Sequence, residues 1–301
     1  MTSSTTSPSP SRSLPRIPST KISAVISDVD GTLVTNDKAL TPRARAAVAE
    51  LHARGIIFSI ISSRPPRGVR MLLEPLAITT PLGGFNGGVI VWPDFSIISE
   101  HLLMPEVARR AIEMLSARGV DTWVFAGQDW LLRKPDGPCI GREERTVCFP
   151  PTVVADFGAA LTAVGKIVGV SQDFALLARC EQELRAALAD QASVALSQPY
   201  YLDITDPLAN KGVALTQFAT LLGIPLTEIA VIGDGHNDVA MFERAGLSIA
   251  MGNASAEVQR VADLVTDRNS EDGFANAIEQ FIFDGDRLKA EAFGRAEGRA
   301  W

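Results

Sequence analysis

The chain has 301 residues, of which 46% are hydrophobic and 21% charged, a balance that excludes fibrous and wholly disordered classes and suggests two domains at ~100–200 residues each. With 35 acidic against 28 basic side chains, its net charge of −7 argues against nucleic acid or an anionic membrane as partner. No run approaches the ~18 consecutive apolar residues that a bilayer span requires.

Residues 1–20 hold fifteen Ser, Thr or Pro, two Arg and no acid, which reads as a disordered arm. Four prolines and the lack of an apolar segment argue against a targeting peptide. Ordered sequence begins at Ile22, where Ile22–Ser27 reads as a buried strand. Thr41-Pro42 opens a helix that Gly55 closes, and Ile56–Ile61 is a second buried strand. Strand, helix and strand with short links predict a parallel sheet. A different grammar follows: helix 105–118, strands near 120–133, strand 165–170, helix 174–189, strands near 193–204. Helix-strand-strand twice over suits helices on one face of an antiparallel sheet. The first grammar then returns with helix 212–222, strand 229–232, helix 237–245, strand 247–250 and helix 255–262.

The expected fold is therefore α/β, a doubly wound (Rossmann-like), mainly parallel sheet core with an inserted α+β domain. Residues 21–99 and 205–283 form the core, 100–204 the insert, and 284–301 a polar tail. Cys139, Cys148 and Cys180 are too scattered for a disulfide framework and read as reduced thiols of a cytoplasmic protein.

Open α/β sheets bind ligands beyond the carboxyl ends of their strands. Here those ends carry Asp28-Val29-Asp30-Gly31-Thr32-Leu33, Ser62-Ser63-Arg64 and Gly233-Asp234-Gly235-His236-Asn237-Asp238, while Lys211 opens a neighbouring helix. Asp28, Asp30, Asp234 and Asp238 together would repel one another strongly. A hard divalent cation resolves that conflict, and Mg²⁺ suits a site that retains waters and a phosphate. Lys211, the Ser62 hydroxyl and loop N–H groups are then free for phosphoryl oxygens. No Ser-His-Asp or Cys-His set points to acyl transfer. Each motif alone is weak, since Asp-x-Asp-Gly is often a plain turn; their shared order at one sheet edge carries the reading. His236 reads as a loop residue, and His52 and His101 as surface.

These motifs resemble the haloacid dehalogenase superfamily and, within it, the Cof-type phosphatases with a IIB-type α/β cap. Asn210-Lys211-Gly212, Ala250-Met251-Gly252-Asn253-Ala254 and Asn86-Gly87-Gly88 are similar to signatures of that subfamily. One departure is visible: Ile61-Ser62-Ser63-Arg64 stands where relatives commonly carry Ala-Thr-Gly-Arg. The resemblance implies Asp28 as nucleophile, forming an aspartyl-phosphate, and Asp30 as acid and base toward leaving group and water. It implies Mg²⁺ held by the carboxylates of Asp28 and Asp234 and the Asp30 backbone carbonyl. Ser62, Lys211 and Asn237 would bind phosphate, and Asp238 would orient waters or Lys211. An acid at position 30, where ion-pumping relatives carry Thr, favours rapid hydrolysis or mutase chemistry.

Ser62 and Lys211 are 149 residues apart, far more than one crossover needs, so the insert is the expected cap. Trp123, Trp130, Arg133, Arg142 and Arg145 are candidate cap contacts, with the plainer reading that the tryptophans are core and the arginines solvated. The function implied is a Mg²⁺-dependent phosphatase of small phosphorylated metabolites such as sugar phosphates. Alternatives are a phosphomutase, a flavin- or cofactor-type phosphatase, and a non-catalytic metal- and phosphate-binding sensor. Oligomeric state is left open.

Overall fold

The computed structural model of the protein describes residues 21–284, so the arm expected at 1–20 and all but the first residue of the tail lie outside the described residues. In chain order the first elements are β1 (Ala24–Ser27), α1 (Pro42–Ala53), β2 (Ile57–Ile60), α2 (Arg70–Leu73), β3 (Leu82–Gly84), β4 (Val89–Val91) and β5 (Ile97–Glu100). Then come α3 (Pro105–Ala117), β6 (Asp121–Ala126), β7 (Asp129–Leu132), α4 (Ile140–Val147), β8 (Thr152–Val153), β9 (Val164–Val170), α5 (Phe174–Leu188), β10 (Ser193–Gln198) and β11 (Tyr201–Thr205). The last are α6 (Lys211–Leu222), β12 (Ile229–Gly233), α7 (Val239–Phe242), β13 (Leu247–Ala250), α8 (Ala256–Val261), β14 (Leu264–Val265) and α9 (Gly273–Ala277).

The core is an α/β layer built on a five-stranded sheet in the order β14-β13-β12-β1-β2, with every pairing parallel. All four residues of β1 are buried, because helices cover both sheet faces and leave no polar side for alternation to mark. Local signals behave as their chemistry dictates. The Thr41 hydroxyl accepts from the Ala44 amide ahead of Pro42, and Gly55 follows the helix end at φ +70°. On α6 the Asn210 side chain accepts from the amides of Gly212 and Val213. That cap fixes the first turn, and therefore Lys211, against the sheet edge.

The second sheet runs β10-β11-β9-β6-β7-β8, antiparallel except for β7 with β8. Period-two alternation divides its residues. Val124, Ile167, Leu202 and Ile204 pack with Ala108, Ala111 and Leu115 of α3 and Leu177 and Leu184 of α5. Trp123, Phe125, Trp130, Leu132, Val168 and Val170 lie on the other face, in a cluster continuous with the core's own. Phe85 of the core meets Phe125 there at 6.0 Å between ring centroids. The two expected helices thus share one face, while α4 covers the other.

Several features differ from the sequence expectation. Helix α4 was not anticipated, since it has only eight residues and is bounded by Cys139 and Cys148, both left-handed, instead of conventional caps. A third antiparallel sheet, β3-β4-β5, joins core to insert in strands of three or four residues, too short to show a period. The helix expected at 237–245 is a 3₁₀ turn at His236–Asp238 followed by α7. Among the described residues, no helix is long and apolar enough to cross a membrane.

Candidate active site

Because β2, β1 and β12 are adjacent and parallel, their carboxyl ends deliver Ser62, Asp28 and Asp234 to one edge. Lys211 is the hub. Its Nζ lies 2.5 Å from Asp28 Oδ1 and 2.5 Å from Asp238 Oδ1, and it is fully buried. Burial opposes its charge, but Asp238 and Asp28 outweigh that cost and hold the ammonium above the ordinary lysine range. An ammonium has three N–H donors, so one remains for a further acceptor. Close approach to α7 is possible because residue 212 is Gly: a Cβ there would overlap the Ala240 carbonyl.

Asp238 is equally tied down. Its Oδ2 accepts from the amides of Asp234 and Gly235, both at 2.8 Å, which fixes the turn after β12. Asp28 is buried, and burial pushes its carboxyl well above the ordinary value; Lys211 opposes this, while Asp238 and Asp234 add to it. Burial, with the charge of Asp238, likewise raises Asp234 to about 6 despite Lys211 and the Thr32 hydroxyl. Carboxylate oxygens of Asp28, Asp234 and Asp238 all lie within 4.8 Å of one another. Three crowded hard-oxygen donors are a set that fits a hard divalent cation.

The loop after β1 is shaped for this approach. Gly31 sits at φ +82°, and any Cβ on it would overlap the Asp234 carboxylate. Thr32 Oγ1 donates to Asp234 Oδ1 at 3.2 Å. Asn253 Nδ2 donates both to the Gly31 carbonyl at 2.9 Å and to Asp234 Oδ2 at 3.0 Å. Its Oδ1 accepts from the Asn269 amide at 2.9 Å, so the side chain ties three segments together.

Asp30 is turned another way. Arg64 holds it through Nε at 2.7 Å and Nη2 at 2.8 Å, and Lys38 Nζ adds a contact at 2.6 Å. Burial pushes the Asp30 carboxyl up, but the hydrogen bonds and charges of Arg64 and Lys38 overcome it and hold the group at about 2. Its side chain lies outside the acidic cluster of Asp28, Asp234 and Asp238. Ser62 is fully buried, with Oγ accepting from the Arg64 amide at 3.1 Å. Asn237 is exposed and donates to Asn86 Oδ1 at 2.8 Å.

Three contributors were not assigned from the sequence. Arg64 stands in a quoted motif, and its separation of two residues from Ser62 was an available signal. Asn253 lies in a quoted signature with a polar side chain in an otherwise small, apolar stretch. Lys38 left no signal: it reaches Asp30 from a turn where its own φ is +64°. Of the candidate cap contacts, Trp123 and Trp130 are buried, and Arg133, Arg142 and Arg145 are exposed.

The chain is similar to known proteins over most of its length. The family model for haloacid dehalogenase-like hydrolases matches residues 25–278. A 5-amino-6-(5-phospho-D-ribitylamino)uracil phosphatase of Bacillus subtilis is 26% identical over 265 residues, covering 87% of this chain and 96% of its own. The crystal structure of a haloacid dehalogenase-like hydrolase from Bacteroides thetaiotaomicron superposes with a TM-score of 0.80 at 29% identity, covering 86% of this chain and 99% of that one. A structure described as a subclass IIB sugar phosphatase shares the fold with a TM-score of 0.75 at 22% identity, over 87% of this chain and 99% of that one. The chain belongs to the haloacid dehalogenase-like hydrolases, within their Cof-type phosphatases.

Proposed function

We propose that the protein is a Mg²⁺-dependent phosphomonoesterase that hydrolyses small phosphorylated metabolites through an aspartyl-phosphate on Asp28. The observation that carries this reading is the Lys211 bridge between Asp28 and Asp238 beside Asp234. It orients one nucleophilic carboxylate and leaves positive charge and a donor beside it. The carboxylates of Asp28 and Asp234 and the carbonyl of Asp30 would hold the cation, which when bound neutralises charge between carboxylate and phosphoryl group.

Asp28 Oδ1 is committed to Lys211, so Oδ2 is the oxygen that attacks phosphorus. The remaining donor of Lys211 and the Ser62 hydroxyl take phosphoryl oxygens, with Asn237 completing the set once released from Asn86. Asp30, held as a carboxylate by Arg64 and Lys38, would deprotonate the water that hydrolyses the intermediate once those cations loosen their hold on it. To protonate the leaving alcohol it must first swing away from both cations. Asp238 acts through Lys211 and the loop amides. Residues 100–204 serve as the cap, closing over the site and excluding bulk water.

Sugar phosphates are the substrates favoured here, and the Bacillus relative, named for a ribityl phosphate ester, supports a flavin- or cofactor-type phosphatase as second reading. Three free thiols support a cytoplasmic setting. The test is hydrolysis of para-nitrophenyl phosphate: phosphate release that requires Mg²⁺, stops with chelator and is lost in Asp28→Asn. Activity persisting in that variant would remove Asp28 as the nucleophile.

A further inference from the structure

The cap face turned toward the core carries an unusual concentration of unsatisfied polar groups. Among the described residues, the buried side-chain atoms without a hydrogen-bond partner are Trp130 Nε1, Tyr201 OH and Asp203 Oδ1. All three belong to this one face. Strand alternation puts Tyr201 and Asp203 on the same side of β11, and register sets Asp203 opposite Val168 and Val168 opposite Trp123. The Trp123 ring stands 5.3 Å from that of Tyr201 and 5.1 Å from that of Trp130, so these three rings make one contiguous aromatic floor on this face. A buried polar atom left unpaired is costly, and three on one face point to a ligand that would satisfy them.

Glu143 of α4 completes the group. It is 9% exposed and, among the described residues, makes neither a hydrogen bond nor an ion pair, although the charges of Lys166, Asp203, Asp30 and Arg64 all reach it. Both cations of this set are already engaged: Lys166 Nζ lies 3.5 Å from Asp203 Oδ2 and 3.3 Å from the Ser63 carbonyl, and Arg64 is held by Asp30. Ser63 sits between Ser62 and Arg64, so this polar face adjoins the loop that positions Asp30.

We infer that Glu143, Asp203, Tyr201 and Trp130 form the specificity pocket for the leaving group, and that it selects a neutral, hydroxyl-rich leaving group and rejects one bearing a second negative charge. This rests on the phosphomonoesterase reading above. Two carboxylates offer acceptors to hydroxyl hydrogens, Trp130 offers a donor, and Tyr201 offers either role. The aromatic floor receives the C–H surface of a polyol. A leaving group with its own carboxylate or phosphate meets the carboxylates of Glu143 and Asp203, while Lys166 and Arg64 are already paired with Asp203 and Asp30, and like-charge juxtaposition in a buried site is strongly unfavourable. A site built to hydrogen-bond hydroxyl groups also rejects analogues lacking them, because its own groups are then left unpaired.

The experiment compares kcat/KM for glucose 6-phosphate, ribose 5-phosphate and glucitol 6-phosphate with that for 3-phosphoglycerate, in wild type and in Glu143→Gln, Asp203→Asn and Tyr201→Phe. Wild type is expected to favour the best neutral ester at least tenfold. Glu143→Gln and Asp203→Asn should each lower that ratio tenfold or more, with 3-phosphoglycerate rising as the neutral ester falls. Tyr201→Phe should lower the neutral ester alone. An unchanged ratio, an equal loss on both substrate types, or a wild-type preference for 3-phosphoglycerate would overturn the assignment. Should wild type release phosphate from none of these esters nor from para-nitrophenyl phosphate, the phosphatase reading fails separately. The pocket is then judged by melting temperature: the neutral ester raises it in wild type and not in Glu143→Gln, and equal shifts in both refute the pocket.

Discussion

Replacing Lys211 with Met tests the electrostatic logic of the site without depending on a substrate. Methionine matches the volume and length of the alkyl stem but removes the charge, leaving the Asp28 and Asp238 side chains, 7% and 1% exposed, without their shared cation. Breaking a buried ion pair from one side costs ~3–5 kcal/mol. At ~2–4 °C per kcal/mol, metal-free Lys211→Met should melt about 6–20 °C below metal-free wild type at pH 7.5. The pH dependence supplies the sharper signature. Without Lys211 to oppose burial, Asp28 is raised further in the folded state than the already elevated position it holds in wild type. A carboxyl that binds its proton more tightly when folded makes the folded state gain stability as pH falls toward the unfolded-state value of ~4. The gap between variant and wild type should therefore narrow from pH 7.5 to pH 5. Adding Asp238→Asn should recover part of the loss, since it removes one of the stranded charges. Melting curves at four pH values, with chelator present, decide the matter. A loss below ~1 kcal/mol, or a gap that widens toward acid, would refute the view that Lys211 exists to balance these carboxylates.

Metal affinity should follow the proton affinity of Asp234, placed at about 6 in the metal-free protein. Binding requires the carboxylates of both Asp234 and Asp28, which is raised too, so the Mg²⁺ concentration giving half-maximal activity should rise about tenfold or more per unit below pH 6; a flat profile down to pH 5 would contradict this. Gly31→Ala should cost ~1–2 kcal/mol for the positive φ alone and also push Asp234 out of place. Its half-saturating Mg²⁺ should therefore rise well beyond what its melting temperature suggests, and an unchanged metal titration would show that Asp234 does not need the bare backbone.

The fold was legible where a pattern repeated over enough residues to have a period. Buried strands separated by capped helices announced the parallel sheet, and the switch to helix-strand-strand announced the insert. Strands of three residues such as Leu82–Gly84 carry no period, and α4 announces itself neither by length nor by caps. The same limit governs the site. Asp28, Ser62, Lys211, Asp234 and Asp238 are at element ends that the topology alone brings together. The side chains that brace Asp30 and the loop after β1 are harder to read. Arg64 bends back from the Ser62 loop to grip Asp30, and Asn253 reaches over from beyond β13. Sequence reading correctly suspected that Trp123 and Trp130 are core, yet being core did not satisfy the Trp130 N–H.

The position of β1 at the heart of its sheet, flanked by β2 and β12, has a consequence for biosynthesis. One neighbour follows β1 within some 30 residues; the other, starting at Ile229, arrives about two hundred residues later. At ~5–20 residues per second, a ribosome leaves that apolar edge uncovered for roughly ten to forty seconds. The intervening segment, with its own sheet and helices on α3 and α5, can condense during this interval, so the catalytic half of the molecule is the last to close. A nascent chain stalled before Ile229 would then present one finished lobe beside a sticky, unpaired ribbon, a natural target for chaperones.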